Sequence, residues 1–199
     1  MKFKRVEGKY GNLVPIEGGR DIPFDIKRIS DDIANAKNEI ISAKEDFFNE
    51  LLEMEKQFQV TIITQNVDNL HERAGSTNVL HLHGELTKGC SSVHESESRY
   101  FVEIGYNPIL LGDKAPDGSQ LRPQIVFFEE AVPNIELAIQ LTADADIVLV
   151  IGTSMQVYPA ASLVRYAKQT TPIYFIDPNP QASEIKNLTI IAEKASTGV

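Results

Sequence analysis

Amides, carboxylates and imidazoles crowd into one stretch of this chain, Thr64-Gln65-Asn66-Val67-Asp68-Asn69-Leu70-His71-Glu72-Arg73-Ala74-Gly75, with His81-Leu82-His83-Gly84-Glu85 close behind. Such side chains can hold a polar ligand by hydrogen bonds. They follow directly on Val60-Thr61-Ile62-Ile63, a β-branched run that reads as a buried strand. Open α/β sheets bind ligands in the crevice beyond the carboxyl ends of their strands, so a strand that spills into a polar loop marks a candidate site. Two further junctions of this kind lie downstream. Gly152-Thr153-Ser154 offers free backbone N–H groups, two hydroxyls and a glycine that lets a ligand approach, while Asp177 stands where Rossmann-type sheets place a carboxylate for ribose hydroxyls. A glycine at such a turn can serve the turn alone; with Asp177 it points to a nucleotide.

The elements that would position these residues are legible in outline. Residues 1 to about 30 are rich in glycine and proline, with one short strand expected at Asn12 to Ile16. From Ser30, an N-cap, the pattern turns helical; Phe47, Leu51, Met54 and Phe58, widened by Phe48 and Leu52, form an apolar stripe that belongs to the core. A strand is expected from Gln59 to Thr64. Residues 87–122 read as an irregular insertion, with turns at Asn107-Pro108 and Asp117-Gly118. Beyond it come a buried strand at Gln124 to Phe128, a helix from near Pro133, and Asp146 to Ile151, a strand buried on both faces. A helix from Ala160 to Lys168, a strand from Pro172 to Ile176, a short helix from Gln181 to Lys186 and a strand from Leu188 to Ile191 complete the series. This alternation predicts an α/β fold, a Rossmann-like doubly wound parallel sheet with a small irregular inserted module.

Composition narrows the function classes. The chain of 199 residues, 42% hydrophobic, is long enough for one substantial core. Its net charge of −9 argues against a general binder of nucleic-acid phosphates, which needs a basic face. A single cysteine, Cys90, permits neither an internal disulfide nor a cysteine-based zinc site, and no pair of the 4 histidines has a convincing ligand spacing, so no metal is expected. No apolar run reaches the length of a membrane span, which predicts a soluble, cytoplasmic protein without membrane partners. His71 and His81 read as structural hydrogen-bonders and His94 as an exposed loop residue.

Taken together, Thr64-Gln65-Asn66-Val67-Asp68 with Leu70-His71, Leu82-His83-Gly84, Val126-Phe127-Phe128 before Glu130, Gly152-Thr153-Ser154, and Val157-Pro159-Ala160 resemble, in order and approximate spacing, the sirtuins. The likeness spans about residues 44–199 and reaches Ala195-Ser196-Thr197-Gly198, similar to that family's adenine-side loop; residues 1–43 form a divergent N-terminal segment. The resemblance implies an NAD-dependent protein lysine deacylase. In that reaction the acyl-lysine oxygen attacks the ribose carbon bearing nicotinamide, which releases nicotinamide and later O-acyl-ADP-ribose.

By the same resemblance His83 is the general base, because an imidazole titrates near the working pH. Asn66 orients water or ribose, Gln65 bonds ribose hydroxyls and Asp68 holds the nicotinamide amide. Gly152, Thr153 and Ser154 meet ribose or phosphate, Asp177 the adenosine ribose, and Ala195 the adenine side. Val126, Phe128, Glu130 and Val157 frame the groove for an acyl-lysine peptide, clamped as an added strand.

Three departures from the family pattern stand out. Its opening Gly-Ala-Gly-Ile-Ser and Thr-Phe-Arg segments are not found; Gly18-Gly19-Arg20 is the nearest candidate and lacks the preceding apolar strand. The chain stops at Val199 where the family continues into a final helix, so both ends look clipped. Glu129 stands where the family has glycine, a position at which a side chain crowds the groove or strains the backbone. Alternative readings are therefore a catalytically impaired remnant that binds NAD or ADP-ribose, and an NAD glycohydrolase that uses Asn66 and His83 without a peptide.

Overall fold

The computed structural model describes residues 48–127, 129–153, 158–180 and 185–199, all within one compact unit, Ile40–Val199. The expected strand Asn12 to Ile16, the helix start at Ser30, and Gln181 to Glu184 lie outside these residues. A helical stretch over residues 48–55, α1, buries Phe48 and Leu51. Its apolar stripe ends sooner than expected: the backbone turns after residue 55, and Phe58 is left 57% exposed.

The first parallel pair is β1 (Ile62–Thr64) with β2 (Val79–His81), in the register Ile62↔Val79, Ile63↔Leu80, Thr64↔His81. Strand β2 was not anticipated; three residues inside a polar motif give no clear two-residue period. Between the two strands lies α2 (Leu70–Ala74), closed by Gly75 at φ 105°, whose N–H donates to the Glu72 carbonyl while that of Ser76 donates to the His71 carbonyl. A left-handed glycine is the ordinary way to satisfy the last carbonyls of a helix.

The inserted region is more regular than its composition suggests. Strand β3 (Gly84–Ser91) pairs antiparallel with β4 (Val102–Glu103) on one side and β5 (Leu121–Ile125) on the other. The strand expected at Gln124 to Phe128 is thus displaced to Leu121–Ile125 and belongs to this antiparallel sheet. Pro123 is accommodated on β5, an edge strand of this sheet. A short 3-10 turn, Ser98–Tyr100, connects β3 to β4.

The module is tied by polar bonds. The Ser91 hydroxyl, fully buried, donates to Asp117 Oδ2 at 2.6 Å, lies 2.9 Å from Ser119 Oγ, and accepts the N–H groups of Val93 and His94. Asp117 Oδ1 accepts from the Ser119 N–H and hydroxyl across the Asp117-Gly118 turn.

The third sheet is parallel: β6 (Val148–Ile151), β7 (Ile173–Ile176) and β8 (Leu188–Ile191), in that order. α3 (Ile135–Asp144) precedes β6 as expected. The helix expected from Ala160 is instead a 3-10 helix, Ala160–Tyr166. There both the N–H and the hydroxyl of Ser162 bond back to the Pro159 carbonyl, which favours the tighter three-residue repeat. Val150, Val164, Ile173 and Phe175 form one core cluster, and Leu82, Ala138 and Ala160 a second, packed by Ile63, Leu80 and Leu163. A last short helix, α4 (Ala195–Gly198), follows β8. Among the described residues no helix is long and apolar enough to cross a membrane.

The Asp117 carboxyl is held down at about 2 by hydrogen bonds from Ser91 and Ser119. A carboxylate depressed in the folded state contributes stability that is present above its unfolded pKa and lost as pH falls through the folded one. An acid titration followed by the Ser119 amide resonance should therefore show a midpoint near 2, and Ser91→Ala should move it upward.

Candidate active site at the ends of the parallel strands

Beyond Thr64 the chain leaves β1 and is at once pinned from behind. The Asn66 N–H donates to Thr64 Oγ1 at 3.1 Å. His83 Nδ1 lies 3.1 Å from the Gln65 carbonyl oxygen, and His81 Nδ1 lies 3.0 Å from that of Asn66. Two imidazoles thus anchor two successive carbonyls. Because a carbonyl only accepts, each Nδ1 carries a hydrogen, which leaves His83 Nε2 as the ring nitrogen not engaged by the loop.

Gln65 reaches the second junction, with its Nε2 3.4 Å from Thr153 Oγ1. Gly152, at φ 61°, has open space where a Cβ would project, and its N–H donates to the Ile176 carbonyl, which sets the 152–153 turn beside the end of β7. Asp177 follows immediately; its N–H donates to the Ile191 carbonyl, and its Oδ1 accepts from the Asn179 N–H at 2.7 Å. Ala195 begins α4, a few residues past the end of β8.

The groove residues meet this cluster through Val126, whose N–H donates to the His83 carbonyl at 2.9 Å. Glu130 is turned toward β5 and the loop after it: its carboxylate accepts from Arg122 at 2.9 and 3.2 Å and from the Phe127 N–H at 2.8 Å. The Arg122 bonds, followed by that from Phe127, hold the Glu130 carboxyl below its ordinary range. Asp68 is likewise engaged locally, with its Oδ1 accepting the Leu70 N–H at the start of α2. The structure therefore gathers Gln65, His83, Thr153 and Val126, places Gly152 and Asp177 on neighbouring strand ends, and leaves Asp68 and Glu130 bonded within their own segments. Ser154, Phe128 and Val157 lie outside the described residues.

Several positioning residues were given no role from sequence. Gly84, directly after His83, sits at φ 82°, and a Cβ there would fall 2.0 Å from the Gln124 carbonyl oxygen. Gln124 Oε1 also accepts the Glu85 N–H, and Asn134 Nδ2 donates to the His81 carbonyl. Arg122 bonds Glu95 and Glu130, donates to the Ile125 carbonyl and stacks on Phe127 at 4.8 Å. A glycine following a histidine at a strand junction was the one available signal; the glutamine, asparagine and arginine have none outside their tertiary partners.

The model of the Sir2 family matches residues 23–159 of the chain. A protein of Bacteroides thetaiotaomicron named NAD-dependent protein deacylase is 48% identical over 167 residues, which cover 82% of this chain and 71% of that one. The chain belongs to the Sir2 family.

A second family member, also named NAD-dependent protein deacylase, from Aggregatibacter actinomycetemcomitans, is 58% identical over 65% of this chain and 61% of its own length. The crystal structure of a Sir2 homologue in complex with NAD superposes with a TM-score of 0.63 at 35% identity, covering 77% of this chain and 60% of that one. This likeness supports the Rossmann-like α/β assignment. The chain thus spans roughly three-fifths to seven-tenths of these Sir2 relatives. The Sir2 match begins at residue 23, upstream of the motifs that carry the sequence resemblance.

Glu129, at the position where the sequence resemblance leads one to expect glycine, has φ 74°. A left-handed conformation costs an L-residue about 1–2 kcal/mol, so the position retains a glycine-like backbone under a non-glycine side chain. Glu129→Gly should raise unfolding stability by about 0.5–1 kcal/mol in denaturant titration. Gly84→Ala should lower it by about 3 kcal/mol, through a positive φ and overlap with backbone.

Proposed function

We propose that the chain acts as an NAD-dependent protein deacylase on acyl-lysine side chains. The observation that carries this reading is the convergence of Gln65, His83 and Thr153: His83 Nδ1 is fixed on the Gln65 carbonyl, and the Gln65 amide, just beyond β1, reaches Thr153, just beyond β6. The donor set also fits an NAD molecule. Among the described residues Gly152 leaves open space at the turn, Asp177 keeps an oxygen beyond its bond to Asn179, and the exposed Asn66 side chain has no protein partner. These groups suit ribose hydroxyls and a carboxamide. When bound, NAD supplies the ribose carbon at which nicotinamide is exchanged for the acyl-lysine oxygen.

The chain's own residues have distinct tasks in this scheme. His83 Nε2 takes a proton from a ribose hydroxyl, its ring held in one orientation by the Nδ1 bond. Gln65, Asn66 and Thr153 orient the ribose; Asp177 is the acceptor for the adenosine ribose, and Ala195 lies on the adenine side. The backbone at Val126, bonded to His83, aligns an added peptide strand beside the base. A reducing cytoplasmic setting accords with a single cysteine that is buried and free.

Nicotinamide release from NAD by the purified chain should depend on an acyl-lysine peptide and fall about 10²- to 10⁴-fold in His83→Ala, the range for removing a general base. Release that ignores the peptide would identify a glycohydrolase. Absence of release at saturating NAD would exclude catalysis by this chain alone.

A further inference from the structure

His81 is a buried histidine for which the reaction has no use. It is 6% exposed, ends β2, and lies two residues before the base. Both of its ring nitrogens are engaged: Nδ1 lies 3.0 Å from the Asn66 carbonyl oxygen, and Nε2 lies 2.7 Å from Glu72 Oε1. Partial burial raises the Glu72 carboxyl, but the bond to His81 and the charges of His81 and His71 outweigh it and bring the group below its ordinary value.

The arrangement fixes the backbone on both sides of one residue. Asn66 is held at its N–H by Thr64 Oγ1 and at its carbonyl by His81, and both of these residues are buried behind it. Its own side chain is exposed and bonds no protein group among the described residues. A side chain that is free in front and fixed behind is aimed by its backbone.

Each partner has its own support. Glu72 sits on α2, which is capped at Gly75 and braced by the edge-on contact of His71 with Phe48 at 4.7 Å. The His81 carbonyl accepts from Asn134 Nδ2 at the start of α3.

We propose that Glu72 and His81 form a positioning pair that sets the Asn66 backbone, and through it the Asn66 side chain, toward the bound ribose. What Asn66 then does rests on the deacylase reading. Glu72 acts through His81 and neither touches the reacting atoms, so the two residues should behave as one unit.

The test uses the full chain with Glu72→Ala, Glu72→Gln, His81→Phe and the Glu72→Ala/His81→Phe double variant. Three readouts are taken: kcat and KM for acyl-peptide-dependent nicotinamide release, thermal melting, and the side-chain amide resonance of Asn66 in asparagine-labelled protein. Glu72→Ala should lower kcat about ten- to a hundred-fold, the cost of a small misplacement near the chemistry, while leaving peptide KM within about two-fold. It should also shift the Asn66 resonance. Glu72→Gln, whose side-chain amide can still hydrogen-bond Nε2 as donor or acceptor, should restore both. The double variant should be no worse than His81→Phe.

Loss of rate in proportion to unfolded protein, with the Asn66 resonance unmoved, would overturn the pair, as would additive effects in the double variant. If His81→Phe does not fold, the Glu72 variants alone decide. A parent chain that releases no nicotinamide sinks the deacylase reading instead. In that event a resonance that shifts in Glu72→Ala and returns in Glu72→Gln still supports the positioning pair, and a stationary one rejects it.

Discussion

The register of two short parallel strands governs this site. Pairing Thr64 with His81 brings the end of β1 alongside the end of β2. In that register the Leu82 N–H donates to the Thr64 carbonyl, and the two histidines flanking Leu82 meet the carbonyls of Gln65 and Asn66. A slip of one residue would exchange the faces of every side chain on β2, and neither imidazole could reach its carbonyl. Leu82, 1% exposed between them, secures the register by packing in the core with Ala138 and Ala160. Apolar burial and polar geometry are therefore set by the same three residues: a leucine points inward, and the histidine on either side bonds the loop.

The antiparallel module depends on a different kind of bond. With a single cysteine in the sequence it has no thiolate cluster to hold its loops. Its turns are instead gathered on one buried hydroxyl, that of Ser91, which meets Asp117, Ser119 and two backbone N–H groups. On the far edge Arg122 joins Glu95 and Glu130 and supports the Ile125 to Phe127 turn by a carbonyl bond and ring stacking. The guanidinium satisfies several acceptors at once, a task suited to its fixed fork of donors. These two knots frame the segment that runs from the module into the groove.

The sequence was most informative where local pattern and tertiary role coincide. The β-branched run before Gln65, the apolar Val148 to Ile151 and the Pro172 to Ile176 run were legible as strands because packing in a parallel sheet favours that composition, and Leu188 to Ile191 by β-branched type alone, since its Thr189 and Ile190 are exposed. Gln65 and His83 could be singled out by type and order, and the structure brings them together. The module was harder to read: β3 carries Lys88, Gly89 and Ser91 and obtains its order from antiparallel partners distant in sequence. Phe58 and the 3-10 helix at Ala160 show the converse, where periodicity alone extended a helix beyond what packing and a serine back-bond allow. Glu129 is a third case: its type suggested strain, and φ 74° locates that strain in the backbone.

Cys90 has a practical consequence. The thiol is 2% exposed, its Sγ lies 3.6 Å from the Pro123 carbonyl oxygen, and burial pushes its pKa above the ordinary value. Nucleophilic sulfur requires the thiolate and an open approach, and Cys90 is poor in both. Maleimide or iodoacetamide reagents should therefore pass over the native protein, and a cysteine added on its surface would be the single handle for a fluorophore or spin label. With two such added cysteines, one near the end of β1 and one in the antiparallel module, distances between these places could be followed in solution without first removing a native residue.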